Sequence, residues 1–247
     1  DKDGNKGEAF DDRYIAKFTI DTGGPKIISN SVSGKQNIAV QLIDITFNEA
    51  INPATFTKEK VNIVGPGGAY NALEITPLDD YTFHIKIPPK QINGTYRGTI
   101  LPTITDKVGN AMDQDGDGHS GEPEEDKYAF EFIQELPDLV VSKVLYPNEV
   151  RAGQQIEVTW TVSNNGAGPV TGKWADTIYI SEDAQSGNDI LLGEVQNSQT
   201  VDIGGSYTRT ITVKIPDGIE GQRWIIVKTD SKEEIDEQDA DTNNTTV

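Results

Sequence analysis

Apolar residues recur along this chain mostly at every second position, in short runs broken by glycine, proline, asparagine and aspartate. That is the pattern of half-buried strands, not of amphipathic helices. In the first half it predicts strands over Pro25 to Val32, Val40 to Phe47, Lys60 to Val64, Thr82 to Ile87, Thr95 to Ile104 and Tyr128 to Ile133, with Gly65-Pro66-Gly67-Gly68 and Asn93-Gly94 as turns. In the last of these, Tyr128, Phe130 and Phe132 share one face while Ala129 and Glu131 take the other. After Leu136-Pro137-Asp138 the pattern restarts, over Leu139 to Leu145, Gln155 to Val162, Thr177 to Ile180, Ile190 to Val195, Tyr207 to Ile215 and Arg223 to Thr229. Alternation of Ile156, Val158, Trp160 and Val162 with Glu157, Thr159 and Thr161 points Trp160 inward. No long helix is predicted.

Each half therefore holds about seven strands in ~110 residues, the size and turn spacing of an immunoglobulin-like sandwich. The expected fold class is all-β, two tandem immunoglobulin-like β-sandwich domains. The short connection at Pro137 is expected to hold them in a fairly fixed relation. An offset of 114 positions then reveals a duplication: Asp1, Asp3, Gly4, Gly7, Glu8, Asp12, Tyr14 and Phe18 recur as Asp115, Asp117, Gly118, Gly121, Glu122, Asp126, Tyr128 and Phe132. Shared acidity explains the aspartates but not the matched aromatic positions. A period of this length is a whole domain. The expected division is residues 1–21 as the tail of a preceding repeat, 22–135 as one sandwich and 136–247 as the second.

Charge narrows the chemistry. The chain has 40 acidic and 21 basic side chains, a formal net charge of −19, no cysteine and two histidines, His84 and His119. A nucleic-acid backbone or anionic membrane would be repelled. Disulfides and thiolate metal sites are excluded. What acidity favours is a hard cation held by carboxylate oxygens. No stretch approaches the ~20 apolar residues that span a bilayer, so no membrane insertion is expected. Asp1 to Phe10 shows neither a basic nor an apolar targeting region. The setting expected is extracellular, secreted or at a cell surface.

The candidate chemistry sits in Asp113-Gln114-Asp115-Gly116-Asp117-Gly118-His119-Ser120-Gly121-Glu122-Pro123-Glu124-Glu125-Asp126, which has seven acids in fourteen residues. Asp-x-Asp-x-Asp-Gly places three carboxylates at alternate positions with a glycine at the sharp turn, as in the loop of an EF-hand. Counted from Asp113, His119 offers its backbone carbonyl at position seven and Glu124 falls at twelve. Ser120 departs from the pattern, and no helices flank the loop. The duplication favours Glu122 and Asp126 instead, because Phe10 stands opposite Glu124. The expected ligand is Ca2+, the expected ligands Asp113, Asp115, Asp117 and His119, with Glu122, Glu124 and Asp126 competing to close the site. The plain alternative is a solvated acidic loop. In a sandwich of this kind the loop lies at the end where the first strand begins, beside Asp21-Thr22-Gly23-Gly24-Pro25, so a bound ion serves either its own domain or the junction with a preceding one.

Ile45-Thr46-Phe47-Asn48-Glu49-Ala50-Ile51-Asn52-Pro53-Ala54-Thr55-Phe56-Thr57, Gly94-Thr95-Tyr96 and Thr105-Asp106-Lys107-Val108-Gly109-Asn110 resemble the bacterial Ig-like domains of surface-layer and adhesin proteins. Pro137-Asp138-Leu139-Val140-Val141, Ala152-Gly153-Gln154, Val158 to Gly166, Trp174-Ala175-Asp176 and Asn243-Asn244 resemble the cell-adhesion-related domain found in bacteria, CARDB. These resemblances imply non-catalytic spacer or adhesion modules of a large surface or secreted protein. The partners they imply are neighbouring Ig-like domains and a protein or polysaccharide ligand.

Other candidates are weaker. His84 reads as a surface histidine, and no Gly-x-Ser-x-Gly elbow accompanies either histidine, so no enzyme is expected. The acids from Asp230 to Asp241 lack alternating ligand spacing and read as a solvated tail in preference to a second metal site. The rival function is an accessory carbohydrate-binding module of a secreted polysaccharide-degrading enzyme. It rests on Trp174, Tyr179 and Tyr207 facing outward, with Trp160 in the core and Trp224 on either side.

Overall fold

Alternation decides the buried side of a strand that has one, and the computed structural model, which describes residues 16–88, 92–237 and 243–246, follows it over Leu42–Phe47, Thr82–Lys86, Tyr128–Gln134 and Gln155–Asn164. Among the described residues of the first half the strands are β1 (Ile27–Asn30), β2 (Gly34–Gln36), β3 (Leu42–Phe47), β4 (Val61–Gly65), β5 (Gly68–Asn71), β6 (Glu74–Pro77), β7 (Thr82–Lys86), β8 (Gly94–Ile100) and β9 (Tyr128–Gln134). They form two sheets, ordered β1-β3-β7-β6 and β2-β9-β8-β4-β5. Pairing is antiparallel except between β2 and β9, where Gly34 stands opposite Phe132 in a parallel ladder. The chain thus leaves one sheet after Asn30 and joins the other at Gly34. Ile43, Ile45 and Phe47 of β3 face Ile63, Tyr96 and Phe132 of the opposite sheet within one apolar core. Phe47, Phe56 and Phe83 meet edge to face at 5.4–6.0 Å between ring centres. Each such ring contributes about 1.5–3 kcal/mol of burial.

The second half carries β10 (Leu139–Leu145), β11 (Gln155–Asn164), β12 (Trp174–Ser181), β13 (Ile190–Asn197), β14 (Ser206–Lys214), β15 (Trp224–Lys228) and β16 (Thr245–Thr246), in sheets ordered β10-β11-β14 and β13-β12-β15-β16. The fold is all-β, two immunoglobulin-like sandwiches in tandem. All six strands expected here are present, with ends moved by a few residues. In the first half β2, β5 and β6 were not expected, because their residues are mostly exposed and carry no apolar alternation. The strand expected to reach Ile104 stops at Ile100, just before Pro102, which has no N–H to continue a ladder.

Trp160 is fully buried, as expected, and Trp174 and Tyr207, at 0% and 8% exposed, take ordinary core packing and not the outward positions that the carbohydrate-binding reading needs. The reason is Asp176, which lies on the same face of β12 as Trp174 and is itself fully buried. Its carboxylate accepts the Trp160 indole N–H at 2.8 Å, the Tyr207 hydroxyl at 2.9 Å and the Thr229 hydroxyl at 2.8 Å. The Trp174 indole donates to the Tyr207 oxygen at 2.9 Å. A buried charge persists only when donors replace water in this way. His84 also departs from a plain surface histidine, being half-buried and hydrogen-bonded through Nδ1 to Asp44 on the neighbouring strand.

Leu136 ties the sandwiches together. Its N–H donates to Asn93 Oδ1 at 2.6 Å, and its carbonyl accepts from Asn93 Nδ2, Ala167 N–H and Gly168 N–H at 3.0, 2.9 and 3.2 Å. A side chain at Gly166 or Gly168 would overlap the backbone of Pro137 or Glu135. A further bond joins Ala39 N–H to Asp236 Oδ2 at 3.3 Å.

Asp176→Ala strands three buried donors and is expected to lower stability by about 3 kcal/mol or more, read by urea denaturation. Burial first, and the Asp176 charge second, push the Tyr207 phenol well above the usual tyrosine range. The folded state therefore keeps a proton that the unfolded state loses above about pH 10. The stability this confers is fully present below that pH and falls as pH rises beyond it. Denaturation midpoints across that range are expected to decline less steeply in Tyr207→Phe than in the parent.

Candidate metal centre

Between β8 and β9 the chain makes two loops pinned by buried acids. In the first, Asp106, 2% exposed, accepts the N–H groups of Val108, Gly109 and Asn110 at 2.8, 2.6 and 2.9 Å through Oδ1, and the Asn110 side chain at 2.8 Å through Oδ2. Burial works against its ionisation, but these donors outweigh it and hold its pKa below the usual range. Buried Met112 then anchors the backbone, its N–H bonded to Ile104 O at 2.9 Å.

The second loop carries the expected site. Asp113, Asp115 and Asp117 each direct a carboxylate oxygen to a common point, the three atoms lying within 4.8 Å of one another. Local bonds shape this: Asp113 accepts Gly116 N–H at 2.7 Å and Gly118 N–H at 3.3 Å, Asp115 accepts Asp117 N–H at 3.1 Å, and Asp117 accepts His119 N–H at 2.7 Å. Gly116 and Gly118 have φ of 86° and 89°, which L side chains rarely adopt. Glu122 Oε2 is buried and has no hydrogen-bond partner. Its carboxyl is pushed above the usual range by burial, then by the charges of Glu125 and Asp117.

Other expected ligands stand elsewhere. Asp126, fully buried, accepts Gln114 N–H at 2.6 Å and Glu122 N–H at 2.9 Å, one on each oxygen, and so closes the loop on itself. The Glu124 side chain is 83% exposed and pairs with Lys127. The His119 ring is 78% exposed and bonds Asp117 Oδ2 at 3.1 Å; that bond first, and the Asp117 and Glu122 charges after it, raise its pKa.

The same loop seats the chain entering the sandwich. Gln114 brackets Ile27, accepting its N–H at 2.9 Å and donating to its carbonyl at 3.0 Å, and Asp113 N–H reaches Pro25 O at 3.2 Å. Asp21 joins Glu49 and Asp106 nearby in a second acidic group whose oxygens lie within 4.8 Å. Burial, then Asp21 and Asp106, raise the Glu49 pKa. Sequence reasoning missed this group, since its members are 28 and 57 residues apart; the only signal was that Glu49 and Asp106 fall in quoted motifs. The upstream copy, Asp1 to Asp12, lies outside the described residues.

Of the acids from Asp230 onward, Glu233, Glu234 and Asp236 are exposed, but Asp230 and Glu237 are not part of a solvated tail. Asp230 is fully buried and caps Glu234 N–H at 2.9 Å and Ile235 N–H at 3.0 Å, while Glu237 accepts Leu139 N–H and the Asn244 amide. Asp239 and Asp241 lie outside the described residues.

Residues 21–130 match the family profile of the bacterial Ig-like domain, and residues 136–247 match that of CARDB. The chain is a bacterial Ig-like domain followed by a CARDB domain. Domains of both families are typically non-catalytic modules and fit an adhesion or surface role. No curated protein matches the chain. Among solved structures it is similar to the CARDB domain of a Pyrococcus furiosus protein in complex with di-metal ions, at 21% identity over 44% of this chain and 86% of that one, TM-score 0.34. It is also similar to the N-terminal part of the bacterial S-layer protein SbsC, at 15% identity over 78% of this chain and 44% of that one, TM-score 0.34. At these scores nothing about the ligands of this chain follows from either. No helix among the described residues is long and apolar enough to cross a membrane.

Asp126→Ala in the Ig-like domain removes two charge-assisted bonds to buried backbone and is expected to cost about 3 kcal/mol by denaturant unfolding in metal-free buffer. Glu124→Gln, at an exposed position, is expected to stay within about 0.5 kcal/mol of the parent.

Proposed function

We propose that this chain is a pair of calcium-stabilised, non-catalytic modules, residues 22–135 and 136–247, of an extracellular multidomain bacterial protein in which they act as spacer or adhesion elements. The observation that carries the calcium reading is the convergence of the Asp113, Asp115 and Asp117 oxygens in a loop that also holds Glu122 Oε2, a buried carboxylate oxygen without a donor on which the Asp117 charge acts. Left without a counter-charge, such an oxygen bears the full cost of its desolvation. An all-oxygen donor set fits a hard cation, and calcium tolerates the irregular arrangement better than magnesium does. Asp113, Asp115, Asp117 and Glu122 would hold it, with Asp126 positioning the backbone of the loop. The ion would supply positive charge and cross-link the loop. Because Gln114 and Asp113 also hold Ile27 and Pro25, an ordered loop would fix the direction in which the preceding chain arrives.

Calcium titration by calorimetry, with melting curves in calcium and in EGTA, tests this. Saturable binding is expected, with a gain of about 2.7 kcal/mol at calcium a hundredfold above Kd. Asp115→Asn, which keeps shape and an oxygen for Asp117 N–H, should weaken binding while leaving the metal-free melting temperature unchanged. Equal melting in calcium and EGTA would overturn the reading.

A further inference from the structure

The CARDB sandwich is open at the end opposite Leu136. There β10 and β14 finish, β11 and β15 begin, and a cavity of about 300 Å³ lies between the strand ends. That volume is at the lower bound of small-molecule sites. Its floor is the apolar core itself, formed by Ile156, Ile180, Ile215 and Ile225, all 5% exposed or less. Aromatic rings stand at its sides: Trp224, half-buried, and Tyr146, 36% exposed. The indole N–H groups of Trp160 and Trp174 are both engaged around Asp176, whereas that of Trp224 has no protein partner among the described residues. Of the chain's three tryptophans, Trp224 lines this cavity.

Charge and polarity define the occupant. The lip carries Asn148, Glu149, Gln222 and Arg223, one anion and one cation among four hydrogen-bonding side chains. Arg223 is already paired with Glu182 at 3.3 Å, so the cavity offers an anion no free cation, and the net charge of −19 disfavours one at long range. An aliphatic floor calls for an apolar substituent, an aromatic wall for a C–H face, and a polar lip for hydroxyl groups. We propose that this cavity binds a neutral pyranose bearing a methyl-terminated substituent, of the deoxyhexose or N-acetylhexosamine kind. The methyl group meets the isoleucines, the ring lies against Trp224, and the hydroxyls face Asn148, Glu149, Gln222 and Arg223. The site is at the opposite pole from the acidic loop and independent of it.

The test is NMR titration of the isotope-labelled 1–247 chain with rhamnose, N-acetylglucosamine, glucose and hexanol in turn. Saturable shifts of the Trp224 indole and Ile225 amide with the first two sugars are expected, with glucose about fourfold weaker for want of one buried methyl. Trp224→Ala should weaken the sugars about tenfold. Gln222→Ala, at an exposed position, should weaken them with an unchanged melting temperature. Three results would each overturn the proposal: no sugar-induced shifts, binding of hexanol alone, or sugar shifts that survive both substitutions.

Discussion

Buried aspartates and Glu237, each bound by N–H or O–H donors, hold the loops of both sandwiches in place. Among the described residues the buried charged side chains are Asp106, Asp113, Asp126, Asp176, Asp230 and Glu237, with no lysine or arginine among them. Five of these close backbone turns or bind strand ends, and Asp176 organises two tryptophans, a tyrosine and a threonine. In a chain without cysteine, these hubs do at short range what a disulfide does by covalent linkage. Each carries the desolvation of a charge, so each is stable only while its donors stay in place.

This arrangement also concentrates negative charge inside an acidic protein. Where donors outweigh burial, as around Asp106, ionisation is favoured; where burial is joined by neighbouring carboxylate charges, as at Glu122 and Glu49, it is resisted. The acidic loop is where that imbalance is combined with convergent oxygens. Its three convergent oxygens could hold a metal ion, and its bonds to Pro25 and Ile27 tie the loop to the path of the incoming chain.

At the other end of the Ig-like domain Asn93 and the Ala167–Gly168 backbone bind both the N–H and the carbonyl of Leu136, and Asp236 adds a bond to Ala39 N–H. Glycine at 166 and 168 permits the close approach.

The sequence by itself determined the strand-rich fold, the twofold division near Pro137, the inward face of β11 and the convergence of Asp113, Asp115 and Asp117, because each follows from local spacing. Period-two alternation sets a strand's faces, and Asp-x-Asp-x-Asp-Gly sets a loop's turn, without reference to the rest of the chain. Tertiary structure alone decided what depended on distant residues. β12 is buried on both faces, and the burial of a charge there turned on Asp176 finding donors 16, 31 and 53 positions away. The parallel pairing of β2 with β9 joins residues 98 apart, and Asp21, Glu49 and Asp106 meet only because the sandwich brings three loops to one end. Asp126 closes its loop and Asp230 and Glu237 anchor theirs through backbone groups, whose positions no side-chain pattern records. A carboxylate reads as solvated in a sequence, because the N–H groups that make its burial affordable exist only once the chain has folded around it.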